Sequence, residues 1–279
     1  MAKKALILRP LLVLALLLAG CQNARPRATN NATSNSTVLV FAAASLTDAF
    51  QELGTVFHES HPDSEIRFNF GGSQQLAQQI VAGAPGDVFA SADLAQLRLA
   101  IAAGIESQPA GTDVHNFAAN RLIIVYPPES LSPIESIHDL TQPGLRLVIA
   151  AEEVPAGHYT QRFLDNAATE LGPAYRRQVM ANVVSYELNV RAVLTKVTLG
   201  EADAGIVYSS DTYAARSSQI GRLPIPGALN VVAHYYLAPL AAPEDNPLAR
   251  EFVEYVLSNE GQVILQRYGF APPVDPASE

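Results

Sequence analysis

Residues 38–50 read VLVFAAASLTDAF. The apolar run at 38–41 has the length and composition of a buried strand. After three alanines and Ser45, the apolar positions change spacing to Leu46, Ala49, Phe50, Leu53, Val56 and Phe57, which is the face of a helix. A strand that feeds a helix N-terminus aims free backbone N–H groups and the positive end of the helix dipole at one point. Such a point suits an anion. The same serine also fits a simple N-cap, with Asp48 three residues on completing a capping box. This stretch alone leaves both readings open.

Upstream, Lys3, Lys4 and Arg9 precede an apolar run at 11–18, and the run ends in Leu18-Ala19-Gly20-Cys21. The run is shorter than the ~20 residues that span a bilayer. The layout is that of a signal peptide over 1–20. Its LAGC end resembles a bacterial lipobox, which implies lipidation of Cys21 as the first mature residue. The expectation is an exported lipoprotein, anchored in the cell membrane and facing the periplasm or the cell exterior. Cys21 is the single cysteine, so no disulfide forms within the chain. Residues 21–37 lack large apolar side chains and read as a flexible tether.

The chain carries 18 basic and 27 acidic residues, a net charge of −9. Three basic residues precede Cys21, which leaves 15 against 27, or −12, in the mature chain. This balance argues against a nucleic-acid partner, which needs a basic face. It also means that an anion site must work through local donors against an overall repulsive field.

Strand-like and helix-like segments alternate, which argues for an α/β fold. Strands are expected at 65–70, 87–90, 120–127, 145–150, 203–208 and 229–240. Helices are expected at 73–83, 91–104, 154–172 and 189–200, with a pair in 246–270 broken near Ser258. In SPIESIHDL, Ser132 reads as a cap, Pro133 as the first helical residue and Glu135 as the closure of a capping box. Small or capping residues recur at strand-to-helix turns: Ser45, Ser73, Ala156 and Asn189-Val190. Ligands of open α/β sheets sit outside the carboxyl ends of strands, where four such turns can converge.

Catalytic signatures are missing from the sequence. There is no G-x-S-x-G elbow, no G-x-G-x-x-G and no P-loop. A serine hydrolase built on Ser45 or Ser73 would lack a base in any recognisable motif. His58 and His61 sit one turn apart at a polar helix end, better suited to solvent than to a metal. Asp87 and Asp93 read as structural carboxylates at a strand entry and a first helical turn. A ligand-sensing regulator would need a basic helix-turn-helix segment, which is missing. The chain reads as a binding protein and not an enzyme.

The strings VFAAASLTDAF, FGGSQQLAQQI, GAPGDVFASAD, VPAGHY, NVRAVL, GIVYSSD and QRYGF occur in this order between residues 38 and 270. Together they resemble the molybdate-binding proteins of bacterial ABC importers, a group of the type II periplasmic binding fold. The resemblance implies an α/β protein of two lobes with its ligand in the cleft between them. Lobe one would hold 38–118 and 235–279, and lobe two 119–234, with crossings near 116–120 and 232–234. It implies capture of molybdate or tungstate and delivery to the permease and ATPase of an ABC importer, by a monomer without a cofactor. Molybdenum would enter only as the bound oxyanion. Carried over by position, the ligand would be held by the hydroxyls of Ser45, Ser73 and Tyr208 and by the amides of Ala156 and Val190. Gly71-Gly72 stands where the family often has another serine. The alternative is the same fold serving sulfate or another tetrahedral oxyanion. An ionised oxyanion offers only acceptors, so neutral donors match it, whereas the proton of monohydrogen phosphate requires an acceptor.

Overall fold

Two parallel strand blocks, wound in the same order, are joined edge to edge by an antiparallel pair. The computed structural model describes residues 36–104, 113–128, 134–213, 220–240 and 246–275. Cys21, the leader and most of the expected tether lie outside them, as do Ser132 and Pro133.

The first block runs β1 (Ser36–Ala43), α1 (Thr47–Ser60), β2 (Ser64–Gly71), α2 (Ser73–Val81), β3 (Val88–Ser91) and α3 (Leu94–Gly104). Its strands lie parallel in the order β2-β1-β3. Then come the long β4 (His115–Tyr126), β5 (Leu147–Ala150), α4 (Pro155–Leu171), α5 (Pro173–Ala181), β6 (Val183–Glu187), α6 (Val190–Thr198) and β7 (Ala204–Tyr208). Here β6-β5-β7 repeats the winding of the first block, again in parallel. β8 (Gly221–Pro224) and β9 (Val232–Pro239) follow, and α7 (Pro247–Leu257) and α8 (Asn259–Arg267) close the described chain. β9 and β4 join the blocks antiparallel, between β3 and β7. Along β4 the partner changes at one point: residues up to Arg121 pair with β9, and those from Leu122 pair with β7 and β8.

Burial explains the strand composition. β3, β5 and β7 are buried along their whole length, as central parallel strands covered on both faces must be. Tyr159, Phe163 and Ala167 line the buried face of α4, the side their spacing assigns to the core. An aromatic cluster under the first block sets Phe50 edge-on to Phe68, Phe117 and Phe252 at 6.0–6.3 Å.

Several expectations need correction. β1 begins at Ser36, so Ser36 and Thr37 pair with Ser64 and Glu65 instead of ending the tether. Ser45 caps nothing: it lies in a 3-10 turn, Ala44–Leu46, and α1 begins two residues later without a side-chain cap. The box in SPIESIHDL is made by Ser136 and Asp139 around a 3-10 turn, Ile137–Thr141, and not by Glu135. α5 and β6 were not legible. β6 is an edge strand whose apolar Val184 and Tyr186 face outward, which removes the alternation that marks a half-buried strand.

Candidate functional site

β1, β2, β5 and β6 each end in a turn that begins a helix, and the carboxyl ends of both blocks face one cavity. The structure brings Ser45, Ser73, Ala156, Val190 and Tyr208 together in its lining. Four helical starts contribute: the 3-10 turn at Ala44, α2, α4 and α6. The first three carry no side-chain cap, so their first-turn N–H groups keep their capacity for a ligand. Pro155 takes the first position of α4, where a missing N–H costs nothing, and Ala156 follows it. At α6, Asn189 Oδ1 accepts only from Ala192 N, at 3.0 Å, deeper in the first turn than Val190. Gly157 allows α4 to start this close to β5, because a Cβ there would overlap the Ala151 carbonyl.

The hydroxyls are set by their neighbours. Ser73 is buried and heads α2, and its Oγ accepts from the Ala92 backbone N–H at 3.1 Å. The Ser73 proton is therefore left to donate elsewhere. Ser45 Oγ lies 2.8 Å from the hydroxyl of Tyr235 on β9. Tyr208, at the end of β7, is 1% exposed, and its hydroxyl has no hydrogen-bond partner among the described residues. Its ring packs edge-on against Tyr159 at 6.4 Å and Tyr235 at 5.8 Å. Burial, then the neighbouring phenols, push Tyr208 well above the ordinary tyrosine range, and it stays a protonated donor.

Among the described residues, no carboxylate and no cation lines the cavity. Beside it, Arg191 follows Val190 and makes ion pairs with Asp48 of α1 and with Asp211 Oδ1 at 2.9 Å. Asp211 is buried and accepts from Tyr208 N at 3.1 Å. Burial pushes its carboxyl up to about 6, against the pull of Arg191. The two carboxylates hold the guanidinium in its charged form despite its own burial. Nearer the rim, Gln74 Nε2 donates across the cleft to the Leu188 carbonyl at 2.9 Å. Arg191, Asp211, Gln74 and Tyr235 were not singled out from the sequence. The position of Arg191 next to Val190 was the one available hint.

The other polar candidates are structural. Asp87 Oδ2 accepts from Leu39 N at 2.7 Å, and Asp93 Oδ1 from Gln96 N at 2.8 Å. His58 bonds the Ser64 carbonyl through Nδ1, and His61 stacks on Phe57 and faces Glu251. No group of three metal-ligating side chains occurs among the described residues.

A cavity at strand ends, rimmed by helix starts and by serine and tyrosine hydroxyls, is chemically suited to a small anion. The family described as bacterial extracellular solute-binding protein matches residues 38–271, and the chain belongs to it. It is 40% identical over 236 residues to the molybdate-binding protein ModA of Mycobacterium tuberculosis H37Rv, covering 85% of each chain. It superposes on the periplasmic molybdate-binding protein of Azotobacter vinelandii with a TM-score of 0.71, at 19% identity, covering 85% of this chain and 100% of that one. It superposes equally, TM-score 0.71 at 17% identity, on the sulfate-binding protein SubI of M. tuberculosis, covering 87% of this chain and 88% of the other. The fold is thus that of the periplasmic binding proteins, and it does not by itself choose the oxyanion.

Proposed function

We propose that this protein captures molybdate or tungstate outside the cytoplasm and hands it to the permease and ATPase of an ABC importer. It acts as a receptor and not as an enzyme. The observation that carries the reading is the Tyr208 hydroxyl, buried, without a partner among the described residues, in a cavity shared with Ser45 and Ser73. A buried donor left unpaired costs about 1–3 kcal/mol, and an oxyanion seated against it removes that cost. Ser45, Ser73 and Tyr208 donate through hydroxyls, and Ala156 and Val190 through backbone amides. The resemblance to molybdate-binding relatives selects the ion. The uncharged, carboxylate-free lining supports rejection of monohydrogen phosphate, whose proton would find no carboxylate to accept it.

In this reading, β1 to β3 with the C-terminal helices form one lobe and β5 to β8 the other. Residues 38–118 and 235–279 fall in the first and 119–234 in the second. β4 and β9 carry the crossings. A ligand touching both lobes favours the closed arrangement, since only that arrangement makes every contact.

Calorimetric titration of the ligand-free protein with molybdate, tungstate, sulfate and phosphate tests the reading. Molybdate and tungstate are expected to bind far more tightly than the other two. Sulfate binding as tightly as molybdate would move the assignment to a sulfate receptor.

The protein works as a monomer held to the membrane through a lipid on Cys21. Cys21→Ser is expected to leave unprocessed precursor and abolish lipid labelling, while a soluble form starting near Thr37 keeps its anion affinity. A mature N-terminus other than Cys21, read by mass spectrometry, would remove the anchor.

A further inference from the structure

Asp48 sets a negative charge beside a cavity suited to anions. It lies in the first turn of α1, two residues after the 3-10 turn that carries Ser45. It does not line the cavity, and 32% of its side chain is exposed. By Coulomb's law alone such a carboxylate weakens the binding of an anion. Its partner belongs to the other strand block. Arg191, in the first turn of α6, donates from Nη2 to Asp48 Oδ2. The second edge of the same guanidinium stays within its own block: Arg191 Nε faces Asp211 Oδ1 at 2.9 Å, and Asp211 Oδ2 accepts from Tyr208 N at 3.1 Å. The rigid fork of an arginine can serve two carboxylates at once, where an ammonium offers a single point of charge.

The segment from Leu188 to Arg191 leads β6 into α6 and carries Val190 in its middle. At one end its Leu188 carbonyl accepts from Gln74 Nε2, at the head of α2, at 2.9 Å. At the other end Arg191 meets Asp48 at the head of α1. The segment is thus held at both ends by helix starts of the first block. Through Asp211 the same arginine is tied to the main chain of Tyr208. One contact made by Asp48 therefore bears on both Val190 and Tyr208, which line the cavity from the second block.

We propose that Asp48 is a positioning residue for anion capture: by docking Arg191 it brings Val190 and Tyr208 of one lobe against Ser45 and Ser73 of the other, and so strengthens the binding of an anion whose charge it repels. The proposal rests on the oxyanion reading and the lobe assignment above. The ion pair forms only when the lobes meet, and a larger share of the closed form raises the apparent affinity of a ligand that needs that form.

The test is calorimetric titration with molybdate. Asp48→Asn keeps the size of the side chain and removes its charge. It is expected to weaken binding roughly three- to tenfold, the contribution of a partly buried, charge-assisted pair. Asp48→Lys faces Arg191 with a like charge and should weaken binding further, while Asp48→Glu should restore most of the loss. Glu52→Gln is the control. It removes the same charge one turn along α1, from a side chain paired with Arg267 of α8, and should leave affinity within about twofold of wild type. If Asp48 acted only through its field, Asp48→Asn and Asp48→Lys would both tighten binding. If it served only the dipole of α1, both would lower the melting temperature of the ligand-free protein and leave affinity unchanged. Either result would overturn the proposal while leaving the oxyanion reading in place. Failure of the wild-type protein to bind either molybdate or tungstate would instead overturn the oxyanion reading, and the role of Asp48 with it.

Discussion

Arg191→Met is expected to cost about 3–5 kcal/mol of stability at neutral pH, the typical effect of stripping one partner from a buried ion pair. Asp211 is 1% exposed, and its carboxylate faces the Arg191 guanidinium at 2.9 Å. Without Arg191 the remaining hydrogen bond is the one from Tyr208 N. The protein should recover stability by keeping Asp211 protonated. Burial already pushes that carboxyl up to about 6 with Arg191 present, and removing the cation moves it higher. A carboxyl raised in the folded state binds its proton more tightly there than in the unfolded chain. Its stabilising effect is therefore complete below the ordinary carboxylate range and is lost as pH rises through the folded-state value. The deficit of Arg191→Met should be largest near pH ~7.5 and shrink toward pH ~5. Urea melts at both conditions check this, and a deficit of equal size at both would remove Asp211 as the cause. Arg191→Met combined with Asp211→Leu should restore much of the loss, because no buried charge is then left alone.

Tyr208→Phe is expected to weaken molybdate binding by about 1.5–3 kcal/mol, roughly 10- to 150-fold, and to leave the fold intact. The phenylalanine keeps the edge-on contacts with Tyr159 and Tyr235. The hydroxyl it removes has no bond among the described residues that would be broken in the process. The ligand-free variant should thus melt no earlier than wild type, and even somewhat later, since an unpaired buried donor has been deleted. With ligand the order reverses, because the rise in melting temperature follows ligand concentration relative to Kd. Opposite signs with and without ligand separate a ligand-facing hydroxyl from a packing tyrosine. Wild-type affinity in calorimetry would take Tyr208 off the site.

The elements that build the cavity were legible because each is local. A strand, a small residue and a helix start fall within a dozen residues at Ser45, Ser73 and Ala156, and the apolar period changes across each; at Val190 the capped helix start alone was legible, because the edge strand β6 before it was not. What those residues touch was not legible. Tyr235 lies 190 residues from Ser45, and Arg191 lies 143 from Asp48. Nothing in HYYL or TDAF marks such pairs, since side-chain partners across a sheet are set by strand order and not by sequence spacing. The order β3-β9-β4-β7 brings the two halves edge to edge, and no local pattern encodes it. Capping was misread for the same reason. Ser45 and Ser73 have the composition of N-caps, yet tertiary partners, the Tyr235 hydroxyl and the Ala92 N–H, engage their oxygens instead.

Gly72 bears on how long an ion stays. A Cβ at this position would overlap the Leu188 carbonyl and meet Gln74 Oε1 at 2.6 Å. The main chains of the two sides therefore touch here, with Gln74 Nε2 bonded to that same carbonyl beside them. A serine near this point would add a donor, while the glycine allows contact between the two rims. A donor deepens the well in which the ion sits. A rim contact raises the barrier the ion must cross to leave, because the rims must part before any path to solvent opens. Affinity differences among related complexes reside mostly in dissociation rates, so a bare glycine can serve retention as a hydroxyl serves recognition. The receptor would then release its cargo promptly only when another body pries the rims apart, which suits a carrier whose load is meant for one destination.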